Sequence, residues 1–306
     1  MIDVRRLRVL CEVARHGSFS GAAASLGYTQ PAVSRQIATL EAELGALLVR
    51  RVPKGAVLTD AGRLLVDRGE TIIARLEGAE AELRALAGLD GGRLRLASFA
   101  SAAASIVPPA IAQFRDRHPA VEVSISMLDP TYSLPKLVAG ELDMALSHDA
   151  DLETGAVELI HLFDDPMYVA MPAGHPLADA PELDLANFAT EPWMLATTNT
   201  CPDSRLFLRS CHAAGFEPQI AFQHDDYPAI LGFVAAGVGV ALIPDMAARG
   251  IRDDVVVRAL DRPPRPRPIL VVLPAGYRSP AAAAMLGILR EISDAWVADR
   301  PVLAAA

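Results

Sequence analysis

Apolar residues recur at helical spacing through the first 45 positions. Val4, Leu7, Leu10, Cys11 and Ala14 share one face of a helix that His16-Gly17-Ser18 ends. Ser18 or Ser20 suits the N-cap of a second, short helix that turns Ala22, Ala23 and Leu26 inward and stops at Gly27. Thr29 is placed to cap a third, with Pro31 just inside its start, where a missing N–H costs nothing. That helix buries Val33, Ile37, Leu40 and Leu44 and turns Gln30, Ser34, Arg35 and Thr39 outward. From Thr59 to about Ala87 the apolar positions are Leu65, Ile72, Leu76, Ala79, Leu83 and Leu86. They make a heptad-like seam on one helix, about 43 Å long at ~1.5 Å per residue.

Beyond LDGG at 89–92 the pattern becomes alternating strands and helices. Residues 93–98, 121–128 and 142–147 read as strands, and 102–118 and 133–140 as helices, a doubly wound α/β arrangement. Ligands of such sheets sit beyond the carboxyl ends of the strands. A second α/β lobe is expected from about 163 to 268, where FVAAGVGVALIP (233–244) is a helix turning through glycines into a buried strand. ILVVLP (269–274) then leads back to the first lobe.

Two short helices joined by a tight glycine-containing turn, the second with a polar outer face, form a helix-turn-helix. The same pattern also fits a small helical bundle with a solvated face. The segment after the third helix favours the first reading: LLVRRVPKGAVLTDAG places Arg50, Arg51 and Lys54 beside a Pro/Gly turn, as a basic wing able to follow a sugar-phosphate backbone. Charge agrees with it. Residues 1–60 hold eight Lys/Arg against five Asp/Glu, a net of +3, which leaves -12 for the rest of a chain of net charge -9.

FSGAAASLGYTQPAVSRQIATLEAELGALLVRRVPKGAVLTDAG is similar, nearly end to end, to the N-terminal motif of LysR-type transcriptional regulators. The matching positions include Ser18, Phe19, Ala22, Ala23, Leu26, Gln30, Pro31, Ser34, Ile37, Leu40, Glu41, Leu44, Gly45, Arg50, Leu58, Thr59 and Gly62. Leu48 departs from the family's usual Phe at a core position. SLPKLVAGELDMAL, AGFEP and VAAGVGVALIP resemble the family's effector-binding half. The resemblance implies an α/β fold with an all-α N-terminal part. It divides the chain into a winged helix-turn-helix DNA-binding domain (1–58), a linker and dimerisation helix (59–88) and an effector-binding domain (89–306). The last would be two-lobed and periplasmic-binding-protein-like, with lobe I at about 93–162 and 269–300 and lobe II at about 163–268. It further implies that Thr29, Gln30, Pro31, Ser34, Arg35 and Gln36 serve the major groove, with Arg50, Arg51 and Lys54 at phosphates or the minor groove. Pairing of the linker helices would make a dimer, and of the effector domains a tetramer, on double-stranded DNA carrying an inverted repeat.

Candidate effector contacts come from the strand ends: Ser98, Phe99, Ser101, Asp129 and Ser147 in the first lobe, and Thr197, Thr198, Asn199 and Cys201 in the second. Hydroxyls and free N–H groups at helix starts suit a polar or anionic small molecule, although no arginine stands in these loops. His224-Asp225-Asp226 reads as a solvated turn rather than a catalytic pair, since no nucleophile has a traceable partner. Three cysteines make no disulfide framework and no zinc spacing, so neither a metal nor a cofactor is expected. Cys201 and Cys211 resemble, at one residue's greater spacing, the pair of the family's peroxide sensors, which keeps a redox-responsive regulator open as an alternative. An α/β enzyme is disfavoured by the lack of a nucleotide or metal motif. A solute-binding protein is disfavoured by the basic head and the absence of an export signal. The longest apolar run, 229–244, is too short for a bilayer and holds three glycines, which points to the cytoplasm.

Overall fold

The computed structural model describes residues 2–53, 55–86, 92–149, 151–152, 155–196, 201–224, 226–276 and 278–300. The chain forms two compact units, one of residues 1–83 with 139–141 and one of 84–138 with 142–306.

The first unit holds α1 (Val4–His16), α2 (Phe19–Leu26), α3 (Gln30–Leu44), the hairpin β1 (Val49–Val52) and β2 (Gly55–Leu58), and most of α4 (Asp60–Leu86). The polar punctuation does what the chain pattern requires. Asp3 accepts from the Arg5 N–H at 2.8 Å, and Ser18 Oγ from the Gly21 N–H at 3.0 Å. Gly17, Gly27 and Gly45 end the three helices in the left-handed region, with φ of 60°, 67° and 65°. Thr29 stands at the N-cap of α3 but its side chain makes no capping bond. Val9, Leu10, Val13, Ala22, Ala23, Val33, Ile37, Leu40 and Leu48 build one core, with Leu48 fully buried where the sequence departs from the motif. Two backbone approaches lock the hairpin to it. The Ala56 N–H donates to Gly17 O at 2.8 Å, and a Cβ on Gly62 would collide with the Leu48 carbonyl.

The second unit contains two five-stranded sheets. The first has the order β4 (Val121–Met127), β3 (Gly92–Ser98), β5 (Met144–Ser147), β12 (Arg267–Pro274), β6 (Val157–Asp165). Its β4-β3-β5 part is parallel, as the doubly wound reading expects, but β12 pairs antiparallel with both β5 and β6. The expected helix at 102–118 is two, α5 (Ala100–Ala104) and α6 (Val107–Arg117), broken at Ser105–Ile106. Pro108 and Pro109 lack the N–H that a continuous helix would need. These helices, with α11 (Pro280–Ala298), cover one face of the sheet over Leu94, Leu96, Met144, Ile269 and Val271. The second sheet has the order β11 (Val255–Arg258), β7 (Met167–Pro172), β10 (Val240–Pro244), β8 (Pro192–Ala196), β9 (Gln219–His224). Its cores form around Trp193, Phe188, Phe207 and Val169, and around Ile230, Val234 and Ile243. Chain passes between the lobes twice, after β6 and before β12. Among the described residues no helix is long and apolar enough to cross a membrane.

Candidate nucleic-acid interface and inter-lobe site

The amphipathic split of α3 sets its chemistry. Val33, Ile37 and Leu40 are 0–2% exposed, whereas Thr29, Pro31, Arg35 and Gln36 are exposed and Gln30 and Ser34 half-buried. Leu44, expected inward, is 39% exposed at the helix end. Thr39 Oγ1 donates back to the Arg35 carbonyl at 2.9 Å, so its hydroxyl serves its own helix. Arg50 stands exposed on β1; Lys54 and the side chain of Arg51 lie outside the described residues. Glu41 holds the wing against α3: its Oε1 accepts from the Leu48 and Val49 N–H groups at 2.7 and 3.0 Å. Sequence reading matched Glu41 to the motif without a role; a carboxylate seven residues before an extended segment was the available signal. Glu12, on α1, accepts from Ser25 Oγ of α2 at 2.7 Å, and that bond, with Arg15 and His16, keeps its carboxyl below the usual range.

On α4 the expected seam divides in two. Leu65 and Val66 pack against the helix-turn-helix core. Ile72, Leu76 and Leu83 are 47%, 42% and 67% exposed, and Ala79 is exposed with them. The side chain of Leu86 lies outside the described residues.

In the second unit the structure gathers some of the expected effector residues around a group that sequence reading missed. Arg267 opens β12 and is 2% exposed. Its Nε donates to Asp165 Oδ2 at 2.9 Å, Nη1 to Asp203 Oδ2 at 2.8 Å and Nη2 to Ser101 Oγ at 2.6 Å. The guanidinium lies 5.3 Å from the ring centre of Phe99, which meets His148 edge-on at 4.5 Å. Asp203 sits in the first turn of α8 (Pro202–Ala213) and also accepts from Tyr227 Oη at 2.7 Å. Its Oδ1 lies 3.1 Å from His148 Nδ1, and neither of these two atoms has a hydrogen-bond partner elsewhere among the described residues. Burial works to raise the Asp203 carboxyl, but Arg267 and His148, with the hydrogen bonds of His148 and Tyr227, hold it far below the usual range. Burial raises Asp165 beyond what Arg267 can lower, and burial together with Asp203 pushes the Tyr227 phenol well up.

Of the other expected contacts, Ser98 donates to the Phe99 carbonyl and Ser147 accepts from the Asp149 N–H, both from buried positions. Asp129 accepts from the Thr131 N–H at the start of α7 (Pro130–Ala139). Cys201 is the buried N-cap residue of α8. Thr197, Thr198 and Asn199 lie outside the described residues, as does Asp225 of the expected turn. Asp226 caps α9 (Tyr227–Ala235) by accepting from the Ala229 N–H. A cavity of about 940 Å³ runs along the second crossing segment, with His148, Asp203 and Arg267 in its wall beside Pro202, Leu206 and Pro266. Its volume is in the range of small-molecule sites.

Cys201 and Cys211 stand ten positions apart along α8, about 15 Å by helical rise, where a disulfide needs Cα atoms within about 7 Å. Both are reduced and buried, and burial pushes the Cys211 thiol up to about 12.

Comparison with known proteins agrees with this architecture. Residues 4–63 match the bacterial regulatory helix-turn-helix proteins of the lysR family, and residues 87–293 the LysR substrate binding domain. The chain is 33% identical over 289 residues to the small neutral protease regulatory protein of Streptomyces coelicolor, covering 91% of this chain and 88% of that one. It is 31% identical over 294 residues to the probable HTH-type transcriptional regulator LrrA of Synechococcus elongatus, covering 95% and 97%. Full-length CbnR complexed with its target DNA superposes with a TM-score of 0.73 at 23% identity, over 95% of this chain and 100% of that one. The chain therefore belongs to the LysR family of bacterial transcriptional regulators, with a helix-turn-helix at its head and a substrate-binding domain behind it.

Proposed function

We propose that the exposed face of α3 reads an inverted-repeat promoter site and that a small polar or anionic effector in the inter-lobe cleft alters that reading. Gln30, Ser34, Arg35 and Gln36 meet base edges, with Thr29 and Pro31 at the helix start. Arg50, Arg51 and Lys54 of the wing contact phosphates. The functional divisions are the head (1–58), the linker (59–88) and the effector domain (89–306). Ile72, Leu76, Ala79 and Leu83 pair two copies, and the effector domains carry assembly to a tetramer. The protein acts in the cytoplasm, on the DNA held there. Effector contacts are drawn from Ser98, Phe99, Ser101, Asp129, Ser147, Thr197, Thr198, Asn199 and Cys201.

The observation that carries this reading is the division of α3 into a face that is 0–2% exposed at Val33, Ile37 and Leu40 and a polar face at Arg35 and Gln36 left to solvent. Selection of genomic fragments at moderate salt tests it, with the native protein beside a Ser34→Ala, Arg35→Ala double variant. A few fragments sharing an inverted repeat, lost in the variant, are expected. Equal binding of all fragments by both proteins would rule out sequence-specific reading by α3.

A further inference from the structure

The arrangement around Asp203 is that of a bound carboxylate. Groups from three separate elements converge on it: Arg267 Nη1 from β12 and Tyr227 Oη from α9 donate to Oδ2, and His148 Nδ1, from the segment after β5, lies 3.1 Å from Oδ1. Each of these groups has a hold besides Asp203. Arg267 is held by Asp165 and Ser101 and lies over Phe99; His148 meets the same ring; Tyr227 packs with Ile230 and Leu231 of its own helix. Removing the Asp203 side chain would leave all three aimed at the vacated position, and a pre-arranged site binds without the cost of ordering its groups.

The occupant and most of its receptor belong to different lobes. Asp203 is carried by α8 of the second lobe, whereas Arg267, Ser101, Phe99 and His148 stand on the first. The same stretch of α8 reaches the first lobe twice more, through Arg205 to Asp149 at 2.7 Å and Arg209 to Asp151 at 3.2 Å. The buried contact of Asp203 is thus the inner rung of a ladder that fastens α8 across the lobes, and the 940 Å³ cavity brings solvent space to that rung. Withdrawing Asp203 leaves Asp165 still paired with Arg267 but takes the acceptor away from Arg267 Nη1 and from Tyr227 Oη, two buried donors that both end on Asp203 Oδ2. A carboxylate oxygen supplies an acceptor to both at once.

We propose that Arg267, Tyr227 and His148 form a carboxylate receptor that Asp203 occupies as an internal ligand, latching the lobes, and that an acidic effector acts by competing with Asp203 for it. This rests on the effector-modulated reading above and deepens it by naming the group the effector must carry.

The test uses the full-length Asp203→Ala variant with sodium formate and acetate as probes, against sodium chloride at equal ionic strength. Formate raises the unfolding temperature of the variant saturably, by several degrees. The native protein needs at least tenfold more formate for half of any such rise, and an Asp203→Ala, Arg267→Met variant shows none. If Asp203→Ala does not fold in buffer, its refolding yield is read instead, restored by formate and not by chloride. No rescue, equal midpoints in native and variant, or equal rescue without Arg267 would each overturn the receptor. A footprint of Asp203→Ala on the selected promoter fragment indistinguishable from the native one would overturn the latch. Rescue is read on protein alone, so its failure leaves DNA reading untouched, and loss of fragment selection by the native protein leaves the rescue result untouched.

Discussion

Arg267 and Asp165 face one another across the antiparallel β6–β12 ladder, at the point where both strands leave the first lobe for the second. Their side chains meet at 2.8–2.9 Å, and Asp165 Oδ1 also accepts from the Met246 N–H at 3.2 Å, beyond the crossing. The next residue back, Asp245, is fully buried and faces Arg249 at 3.5 Å and Arg300 at 3.4 Å. With Asp203, which Arg267 also bonds, three aspartates and three arginines stand along the junction, and Arg267, Asp165 and Asp245 among them are buried.

Removing one member leaves its partners charged in a dry place. Arg267→Met is expected to lower stability by about 3–5 kcal/mol, the usual cost of orphaning a buried ion. Arg267→Lys recovers little, because an ammonium cannot fork toward Asp165, Asp203 and Ser101 together. Urea unfolding of the two variants checks both; a loss under about 1 kcal/mol for Arg267→Met would show that the network adds nothing net.

Acid should lower stability in part through Asp203. Its folded carboxyl is held below the unfolded value of about 3.9. Its contribution is therefore complete above that value and is lost as pH falls toward the folded one. Asp203→Asn is expected to flatten the fall of stability below about pH 4. Tyr227 has the opposite sign: its phenol is raised, so its contribution is present below about pH 10 and is lost as pH climbs through the folded value. Tyr227→Phe should flatten the alkaline limb, and pH-dependent unfolding reads both.

Arg35 and Arg50 should fail differently on DNA. Arg35→Ala is expected to cost about 1–3 kcal/mol on the selected site and to relax preference at one base pair. Arg50→Ala should weaken binding to all sequences alike and reduce the salt slope by about 1. Salt-titrated binding to matched and mismatched duplexes separates the two, and identical behaviour would refute the division of labour.

Charge placed on the exposed stripe of α4 should separate the copies. Leu76→Glu and Ile72→Glu replace side chains that are 42% and 47% exposed, so the monomer tolerates them, while a pairing seam does not. Sedimentation at micromolar concentration is expected to show loss of the dimer with circular dichroism unchanged. A dimer that survives both substitutions does not pair through this stripe.

The cysteines should be inert. Burial pushes the Cys11 and Cys211 thiols up to about 11 and 12, leaving few thiolates at neutral pH. Mass spectrometry after iodoacetamide at pH 8 is expected to find both unlabelled until the chain is denatured. After mild peroxide no 201–211 disulfide should appear, since α8 would have to unwind; finding one would restore the redox reading.

The head of this protein was legible because its information is local. Helix ends depend on Ser18 and on Gly17, Gly27 and Gly45 within a few residues, and the buried face of α3 repeats at three and four. The alternation of strands and helices in the effector domain was legible from its apolar runs, and β12 emerged where an apolar run ended the second lobe. What the chain order could not reveal was which charges would be taken out of water. Arg262, Arg265 and Arg267 look alike within RPPRPRP, yet the first two are exposed and only the third is buried. Its partners Asp203, Asp165 and Ser101 stand 64, 102 and 166 positions away. Leu65 and Ile72 likewise share a heptad pattern, but one meets the core of its own domain and the other meets solvent. Periodicity records which face is apolar; burial of a charge, and the partner that makes it tolerable, are decided only when distant segments are packed against it.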